Sequence, residues 1–452
     1  MSVLAWLDRS HTVAKPGFNR WLVPPAALCI HLCIGQVYAL SVFTKPMSQA
    51  IGVTAPAPGD WSVPALGWIF SIAILILGLA AAFGGKWVER AGPRAAMFVS
   101  ALCFCGGLIV AGLGVEAHLL WLVYLGYGVL GGCGLGIAYI SPVSTLIKWF
   151  PDRPGLATGT AIMGFGGGAL IGAPLAVGLM KHFANASGTG VSQTMIVMGL
   201  VYFVWMFSGA LIVRVPAEGW KPAGYVPPAA AAKLVTTGNV LLEQALRTPQ
   251  FYLLWFVLFL NVTAGIGVLG QASLMIQEMF GVTAVAAAGF VGLLSIFNMG
   301  GRIFWASMSD FMGRKATYVV FFALGAVLYV LVPSFGKLHA IVPFVLAFLV
   351  ILSMYGGGFA TIPAYLRDLY GTVNVGAIHG AVLTAWSAAG VAGPVLVNYI
   401  RQYQIDRGVP KADAYSITMY LMAALLVVGL FCNLAVRAVH ERHFEDAPAS
   451  AA

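Results

Sequence analysis

Arg302 is the side chain whose type and position most directly indicate binding chemistry in this sequence. It lies inside an apolar run at 284–307, whereas the other Lys and Arg residues lie in polar segments or near the ends of apolar runs. A guanidinium offers a planar pair of donors that matches a carboxylate. Asn298 precedes it by one helical turn and would share its helix face. Together they predict a binding site for a small carboxylate.

Burial of this cation requires a partner. An arginine at the centre of a membrane helix costs about 2.5–3.5 kcal/mol on insertion scales, so it is expected to face a cavity and a counter-charge. No Asp or Glu lies well inside any apolar run, so a bound carboxylate is the predicted counter-charge. Two alternatives stay open: the side chain extends to the end of its helix, or it pairs with Asp310.

Histidine and tyrosine side chains offer further polar contacts. His31 and Tyr38 lie seven residues apart in the first apolar run, and thus on nearly one face of a helix. Tyr127, Tyr139 and Tyr355 lie in later runs and carry hydroxyl donors. Because membrane tyrosines more often pack or anchor at the interface, packing is the alternative for each. Tyr38, Tyr127 and Tyr355 are included among the candidate substrate contacts with His31.

Two side chains are candidates for carrying a coupling proton. Histidine titrates near neutral pH, which makes His31 the first candidate. Glu278, at the far end of the seventh apolar run, is the second. The alternatives are a histidine that is satisfied within helix packing and a carboxylate at an ordinary solvated helix end.

Membrane-spanning helices are the elements that must position these residues. The chain has 452 residues, of which 60% are hydrophobic and 9% are charged, and this composition excludes an ordinary water-soluble globular protein. Apolar runs of the ~20 residues needed to cross a bilayer recur about twelve times. They are 20–43, 64–84, 95–115, 119–147, 155–180, 193–214, 250–279, 284–307, 316–335, 339–366, 375–400 and 414–437. Because backbone groups in lipid must be hydrogen-bonded internally, an all-α membrane protein is predicted.

A ten-residue motif occurs twice along the chain. It reads GKWVERAGPR at 85–94 and ASMSDFMGRK at 306–315, and under the same offset Pro142 meets Pro363. In both copies an acid, a glycine and a basic residue occupy equivalent positions. A chain built from two similar halves predicts two helix bundles that rock about a site between them.

Composition and charge divide the chain into five predicted parts. They are an N-terminal tail (1–19), a six-helix bundle (20–214), a Pro-containing linker (215–249), a second six-helix bundle (250–437) and a C-terminal tail (438–452). Of the Lys and Arg residues, 17 fall on the side of the two tails and 6 on the opposite side. The positive-inside rule therefore predicts that the tails and the linker are cytoplasmic, in a membrane taken to be the bacterial inner membrane.

The repeated motif resembles the loop signature of the major facilitator superfamily, which occurs between helices 2 and 3 and again between helices 8 and 9. The resemblance covers essentially the whole chain. It implies twelve transmembrane helices in two pseudo-symmetric six-helix bundles, and a latch of ion pairs that holds one conformation and breaks in the other. The residues of this latch would be Glu89, Arg90, Arg94, Asp310, Arg314 and Lys315. The alternative is that these charged residues only determine the topology of the helices in the membrane.

A narrower resemblance concerns the substrate. The segments GQVYALSVF at 35–43 and KWFPDRPG at 148–155, and Asn298 with Arg302, look like the oxalate/formate antiporter family, which is related to monocarboxylate transporters. Family members that carry oxalate are expected to have a lysine on helix 11, and Trp386 stands in that place here. No Lys or Arg occurs between 375 and 400. One cavity charge matches a monoanion better than a dianion, so Trp386 is included as a substrate contact.

These features predict a secondary active transporter of small carboxylates that works by alternating access. Lactate-, pyruvate- or formate-like monocarboxylates are expected to be favoured over oxalate, with protons or a counter-anion as co-substrate and the monomer as the functional unit. No phosphate loop, metalloprotease helix or nucleophile elbow occurs, so no enzyme activity, cofactor, metal or nucleic-acid partner is predicted. The alternatives are an oxalate/formate-type anion exchanger, an exporter of neutral or cationic compounds, and a membrane sensor of carboxylates.

Overall fold

The chain is almost entirely helical in the computed structural model. Residues 6–186, 188–225, 234–236, 238–269 and 271–445 are described, with side chains throughout except at 63, 64, 284, 285 and 288. Parts of the predicted linker and of both tails therefore lie outside the described residues. Within these ranges there is no β-strand, and only isolated bridges join Val13 to Val215 and Asn185 to Gly188.

Twelve helices of the described chain are long and apolar enough to cross a membrane. They are labelled α1 (Arg20–Ala39), α2 (Ala65–Ala91), α3 (Pro93–Glu116), α4 (Leu120–Trp149), α5 (Pro154–Phe183), α6 (Val191–Ile212), α7 (Pro249–Leu269), α8 (Gly289–Met312), α9 (Arg314–Lys337), α10 (Ile341–Tyr370), α11 (Val375–Asp406) and α12 (Ser416–Ala435). The predicted all-α membrane class is confirmed.

The helices form two compact units. Unit 1 comprises Met1–Pro151, Thr160–Ala223 and His379–Ser387, and unit 2 comprises Asp152–Gly159, Gly224–Ile378 and Ala388–Ala452. The start of α5 thus packs within unit 2, and a segment near the start of α11 packs within unit 1. Hydrophobic periodicity does not reveal such exchanged segments, because it reports which residues are apolar and not which helix they contact.

Both copies of the repeated motif have the same backbone geometry at their glycine. Gly92 separates α2 from α3 at a φ of 84°, and Gly313 separates α8 from α9 at the same φ. A positive φ of this size is readily adopted only by glycine. The motif that is repeated in the amino-acid sequence therefore also forms a repeated turn, with one copy in each unit.

Two membrane helices depart from regular geometry. α1 changes from an α-helix at Val23–Ile34 to a 3₁₀-helix at Gly35–Ala39, and a separate short helix follows at Ser41–Met47. α4 contains a π-helical segment at Tyr124–Gly131. The predicted continuous run at 20–43 is thus divided. Irregular segments inside helices often accompany functional sites, because they change the direction of side chains.

The predicted seventh span is also divided. α7 ends at Leu269, and a separate helix follows at Ala272–Phe280. The apolar run at 250–279 is continuous in sequence, and hydropathy alone does not detect that two separate helices lie within it. Before α7, a short helix lies at Leu242–Ala245.

Helices α8 and α10 approach each other closely through glycine. A Cβ placed on Gly301 would overlap the backbone of Ser353, and one on Gly356 would overlap the backbone of Asn298. By contrast, a Cβ on Gly300 would have nothing within 4 Å. Small residues allow membrane helices to pack at short distance in this way. The contact also holds the backbone next to Arg302.

We predict that Gly301→Val lowers the thermal stability of the detergent-solubilised protein, whereas Gly300→Val leaves it close to that of the unmodified protein. Overpacking a closely packed contact costs about 1–3 kcal/mol. Thermal unfolding of both variants measures the effect. Equal unfolding temperatures for the two variants would contradict close packing of α8 on α10 at Gly301.

Candidate functional site

The guanidinium of Arg302 is fully buried within unit 2. Its Nε donates to Oδ1 of Asn298, one turn earlier on α8, over 3.4 Å. Its Cζ lies 5.4 Å from the centre of the Phe359 ring on α10, within the range of a cation–π interaction. The predicted pair on one helix face is therefore formed, and an aromatic ring that the sequence did not single out completes it.

Tyr355 lies one turn before Phe359 on α10. The two rings meet edge to face, with their centres 5.3 Å apart. Tyr355 is buried against Gly265 of α7, where a Cβ would overlap the tyrosine ring. Arg302, Asn298 and Tyr355 thus lie in one cluster of unit 2, arranged around Phe359.

Asn261 of α7 also lies near this cluster, because it lines a small cavity beside Tyr355. The cavity has a volume of about 10 Å³, and its lining includes Asn261, Gly265, Tyr329 and Tyr355. This is roughly the space that one water molecule needs. Asn261 is a buried polar residue that sequence reasoning missed. Its amide, which directly follows the Phe/Leu-rich segment 251–260 inside an apolar run, was the available signal.

The two alternatives for Arg302 can be compared with this geometry. Asp310 receives hydrogen bonds from the backbone N–H groups of Gly155 and Leu156, each at 2.9 Å, and pairs with Arg314 at 2.5 Å. The carboxylate proposed as the alternative partner is therefore occupied by these three groups. Complete burial of Arg302 also differs from the exposure that extension to the helix end requires.

Unit 1 contains a second cluster of candidate residues, arranged around the Tyr139 ring of α4. The centre of this ring lies 5.6 Å from His31 of α1 and 5.3 Å from Trp386 of α11. Phe165 of α5 contacts Tyr139, Trp386 and Tyr38, at 5.4, 5.3 and 5.2 Å between ring centres. His31, Tyr38 and Trp386 are thus brought together, through two aromatic rings.

His379 also belongs to this cluster and was missed by the sequence reasoning. Its ring centre lies 5.9 Å from that of Tyr139, and the side chain is buried. It precedes Trp386 by seven residues on α11, the same spacing that drew attention to His31 and Tyr38 on α1. That spacing was the available signal, because residues seven apart share a helix face.

Tyr127 has a different neighbour. Its hydroxyl donates to Oε1 of Gln36 over 3.0 Å, and both side chains are buried. Tyr127 lies in the π-helical segment of α4, and Gln36 lies in the 3₁₀ segment of α1. The two irregular segments are thus joined by a hydrogen bond between side chains.

The second copy of the repeated motif forms a network within unit 2. Asp310 binds the first turn of α5, where exposed backbone N–H groups and the helix dipole favour an anion. Arg314 pairs with Asp310 and also with Asp368 of α10, at 3.2 Å. Lys315 donates to the carbonyl oxygens of Leu434 and Val436 at the end of α12, at 2.7 and 2.8 Å.

The first copy makes different contacts within unit 1. Glu89 forms an ion pair with Lys148 at the end of α4, and its carbonyl oxygen accepts from Nη1 of Arg9 at 3.1 Å. Arg94 donates to the carbonyl oxygen of Trp6 and lies over its ring, whereas Arg90 is exposed. The assignment of these motif residues to a latch stays a prediction.

Glu278 lies in a network of its own in unit 2. It pairs with Arg401 at 2.5 Å and accepts a hydrogen bond from the Tyr415 hydroxyl at 2.5 Å. Burial, and after it the hydrogen bond to Glu278, raises the pKa of Tyr415 above its usual range, which keeps the phenol protonated as a donor. Glu278 is thus not a solvated helix end, and its role in proton coupling stays a prediction.

Twelve apolar helices, divided between two units that share a repeated turn, define an integral membrane protein with the architecture of a transporter. The chain belongs to the major facilitator superfamily, since the family model described as Major Facilitator Superfamily matches residues 26–394. The predicted family is confirmed.

Similar proteins are found among curated sequences and solved structures. The oxalate:formate antiporter of Oxalobacter formigenes is 27% identical over 376 residues, which cover 83% of this chain and 83% of that protein. The apicoplast pyruvate carrier 1 of Toxoplasma gondii is 23% identical over 438 residues, covering 85% of this chain and 77% of that protein. The Escherichia coli fucose:proton symporter shares the fold, with a TM-score of 0.65, 12% identity and coverage of 92% and 99%.

We predict that Asp310→Asn lowers the thermal stability of the protein. The substitution keeps the size of the side chain but removes the charge that binds Arg314 and the first turn of α5. Losing a charge-assisted hydrogen bond costs about 1.5–3 kcal/mol. Thermal unfolding in detergent measures this cost, with Asp406→Asn at an exposed acid as the control. An unfolding temperature of Asp310→Asn that matches the control would rule out a stabilising role for the carboxylate charge.

Proposed function

We propose that this protein is a secondary transporter of small monocarboxylates, such as lactate, pyruvate and formate, and that Arg302 binds the substrate carboxylate. The observation that carries the proposal is the complete burial of the Arg302 guanidinium within an apolar membrane helix. Such a charge is expensive to hold away from water and typically marks a substrate or ion pathway.

The surroundings of Arg302 suit an anionic ligand. Asn298 contacts its Nε through Oδ1, so the guanidinium is oriented by a neutral group, and Phe359 lies against its face. Two acids of the same unit are engaged by other cations: Asp310 by Arg314, and Glu278 by Arg401. A ligand carboxylate that binds the guanidinium would form a charge-assisted, two-donor contact in a low-dielectric environment.

The names of the similar proteins support the same substrate class. One relative is an oxalate:formate antiporter and another is a pyruvate carrier, and both names denote carriers of small carboxylates. Their sequence similarity extends over most of this chain, including the helix that carries Arg302. We therefore extend the chemical class, a small carboxylate, to the substrate of this protein.

Charge count favours a monoanion within that class. The cluster around Tyr139 in unit 1 presents Trp386 where the resemblance to oxalate carriers implies a lysine. Neither Lys nor Arg occurs between 375 and 400 on α11. A dicarboxylate bound to Arg302 alone would keep a second buried charge without a cation, which costs several kcal/mol. A monocarboxylate carries no such cost.

Transport without ATP requires two conformations that can interconvert. We propose that Asp310, Arg314 and the first turn of α5 act as a latch, because their contacts depend on the mutual position of α5, α8 and α9. Glu89 with Lys148 would be the counterpart in the first half. We further propose that the protein acts as a monomer in a bacterial inner membrane, with both termini in the cytoplasm, as its distribution of Lys and Arg indicates.

Exchange of oxalate for formate is the second candidate function. It is favoured by the similarity to the oxalate:formate antiporter, at 27% identity over 83% of both chains. It would require a second cationic group besides Arg302.

We predict that Arg302→Ala abolishes carboxylate transport and that Arg302→Lys retains only part of it. Truncating one partner of a buried charge pair costs about 2–5 kcal/mol, a loss of affinity of roughly thirtyfold or more. Lysine keeps the charge but lacks the two-donor fork. The measurement is counterflow of radiolabelled lactate, pyruvate and formate in proteoliposomes. Arg407→Ala, at an exposed arginine packed on Tyr403, is the matched control. Normal counterflow by correctly inserted Arg302→Ala would refute the site.

We predict that monocarboxylates compete for transport better than oxalate at neutral pH, and that Trp386→Lys shifts the preference towards oxalate. The added ammonium would supply the second charge that a dianion requires. Competition of unlabelled acids against the best labelled substrate measures both effects, with Trp386→Phe as the control for loss of indole volume. Robust oxalate exchange by the unmodified protein, without competition by monocarboxylates, would contradict the charge-count argument. Binding of carboxylates without any flux would indicate a sensor instead.

A further inference from the structure

We propose that the cavity beside the second copy of the repeated motif binds an anionic phospholipid. This inference goes beyond the proposed transport function and does not depend on the substrate. The cavity has a volume of about 460 Å³, and the residues that line it come from the end of α8, from α9 and α10, and from the segment 234–235. All of them belong to unit 2.

The lining of this cavity is mainly apolar. Its apolar side chains are those of Leu234, Val235, Met312, Ala316 and Val319. Phe311 directly precedes Met312 at the end of α8, and the two side chains are 85% and 42% exposed. Large apolar side chains that stay exposed at the end of a membrane helix are expected to contact lipid. The lining therefore suits an acyl chain.

The carboxylate in the lining is already paired with cations. Asp368 binds Arg314 at 3.2 Å and Arg367 at 3.0 Å. Arg314 in turn also pairs with Asp310. The two acids and the two arginines of this network therefore offset one another, which leaves Lys315 as the further charged residue of the lining.

The contacts of Lys315 do not neutralise its charge. Its Nζ donates to the carbonyl oxygens of Leu434 and Val436, which are neutral acceptors. The charge of Arg437 acts on Lys315 as a repulsion. An ammonium group has three N–H donors, so one remains after these two bonds. A phosphate oxygen would accept this donor and would offset the charge of both cations.

The first copy of the motif shows the chemistry of a group that covers such a surface. There the N-terminal segment lies over Gly92, where a Cβ would come within 3.0 Å of Cγ of Arg9. Arg94 donates to the carbonyl oxygen of Trp6 at 3.1 Å, and its Cζ lies 5.0 Å from the centre of the Trp6 ring. The cover of the first copy thus offers an acceptor oxygen to the cation, together with an apolar group.

The equivalent surface of the second copy has room for a ligand. Under the offset of the repeat, Gly313 and Lys315 stand at the positions of Gly92 and Arg94. A Cβ on Gly313 would have no atom of the described residues within 4 Å. By analogy with the first copy, a group that fills this surface should offer an acceptor oxygen to Lys315 and an apolar part to the cavity.

The chain segment before Leu234 is the alternative occupant, because the cover of the first copy precedes Val13, the residue equivalent to Leu234. Residues 226–233 lie outside the described residues, and their sequence is VPPAAAAK. This sequence contains no acid and adds a lysine, so it would not offset the charges of Lys315 and Arg437. An anionic phospholipid carries both a negative phosphate and acyl chains, and it therefore matches both parts of the lining.

Lipid binding is measured on the purified full-length protein after delipidation in detergent. The probe is dioleoylphosphatidylglycerol. Dioleoylphosphatidylcholine, which has no net charge, and glycerol 3-phosphate, which has no acyl chains, serve as comparisons. We expect only the phosphatidylglycerol to raise the unfolding temperature as its concentration increases, because a ligand that binds the folded state stabilises it.

Two variants test the two parts of the site. Lys315→Gln keeps N–H donors for the carbonyl oxygens at the end of α12 but removes the charge. Loss of one basic residue beside an anionic lipid should lower the affinity for phosphatidylglycerol about fivefold. Val319→Trp fills the cavity and should abolish most of the rise in unfolding temperature. The matched controls are Lys86→Gln, at an exposed lysine of α2, and Val327→Trp, at an exposed valine of α9. Both controls should respond to the lipid as the unmodified protein does.

Three results would overturn the inference. In the first, phosphatidylcholine or glycerol 3-phosphate stabilises the unmodified protein as much as phosphatidylglycerol does, so that the site selects neither the charge nor the acyl chains. In the second, Lys315→Gln and Val319→Trp bind phosphatidylglycerol as tightly as their controls, which places the lipid elsewhere. In the third, no lipid stabilises the unmodified protein, whereas Val319→Trp lowers its stability, which indicates that the cavity packs against a segment of the chain.

Mass spectrometry of lipids extracted from the purified protein covers the case in which a variant does not fold. The unmodified protein, purified without delipidation from a membrane that contains both lipids, should retain phosphatidylglycerol in preference to phosphatidylcholine. Retention of the two lipids in the proportions of the membrane would refute the site. Carboxylate counterflow is measured separately, so a failure of the lipid site leaves the proposed transport function intact.

Discussion

The cost of holding a guanidinium in an apolar membrane helix is the constraint on which the rest of this structure depends. Arg302 is fully buried, and its neighbours Asn298 and Phe359 orient its guanidinium. Desolvation of a cation is tolerated in membranes when a partner offsets it. This cost is the physical basis on which we propose that Arg302 binds a carboxylate.

The helices around the candidate residues are shaped by close backbone contacts rather than by large side chains. Gly301 and Gly356 bring α8 and α10 together, and Gly265 makes room for the Tyr355 ring. Elsewhere, a 3₁₀ segment in α1 and a π segment in α4 bring Gln36 and Tyr127 into hydrogen-bonding contact. Packing by small residues allows polar groups to be placed in an apolar interior at defined positions, because each backbone approach leaves little freedom to move.

Charged groups in this protein fall into two physical categories. Asp310 and Glu278 lie near helix ends, where each is neutralised by an arginine of the same unit. Such partly buried pairs contribute to stability, and they can break when helices move because water can reach their ions. His31 and His379 instead lie buried around the Tyr139 ring in unit 1. The first category suits the proposed conformational latch.

The amino-acid sequence by itself determined the fold class, the twelve helices, the family and the position of Arg302 inside an apolar run, because hydrophobic length and the repeated motif depend only on local sequence. It did not indicate that the apolar runs of α1 and α7 are divided, since hydropathy does not detect where one helix ends and the next begins within such a run. Only the tertiary structure placed Phe359 against Arg302 and His379 beside Tyr139. These contacts join helices distant in sequence, and they follow from how glycines and exchanged segments allow the backbones to approach. Hydrophobic periodicity predicts which face of a helix is buried, but it does not predict which other helix packs against that face.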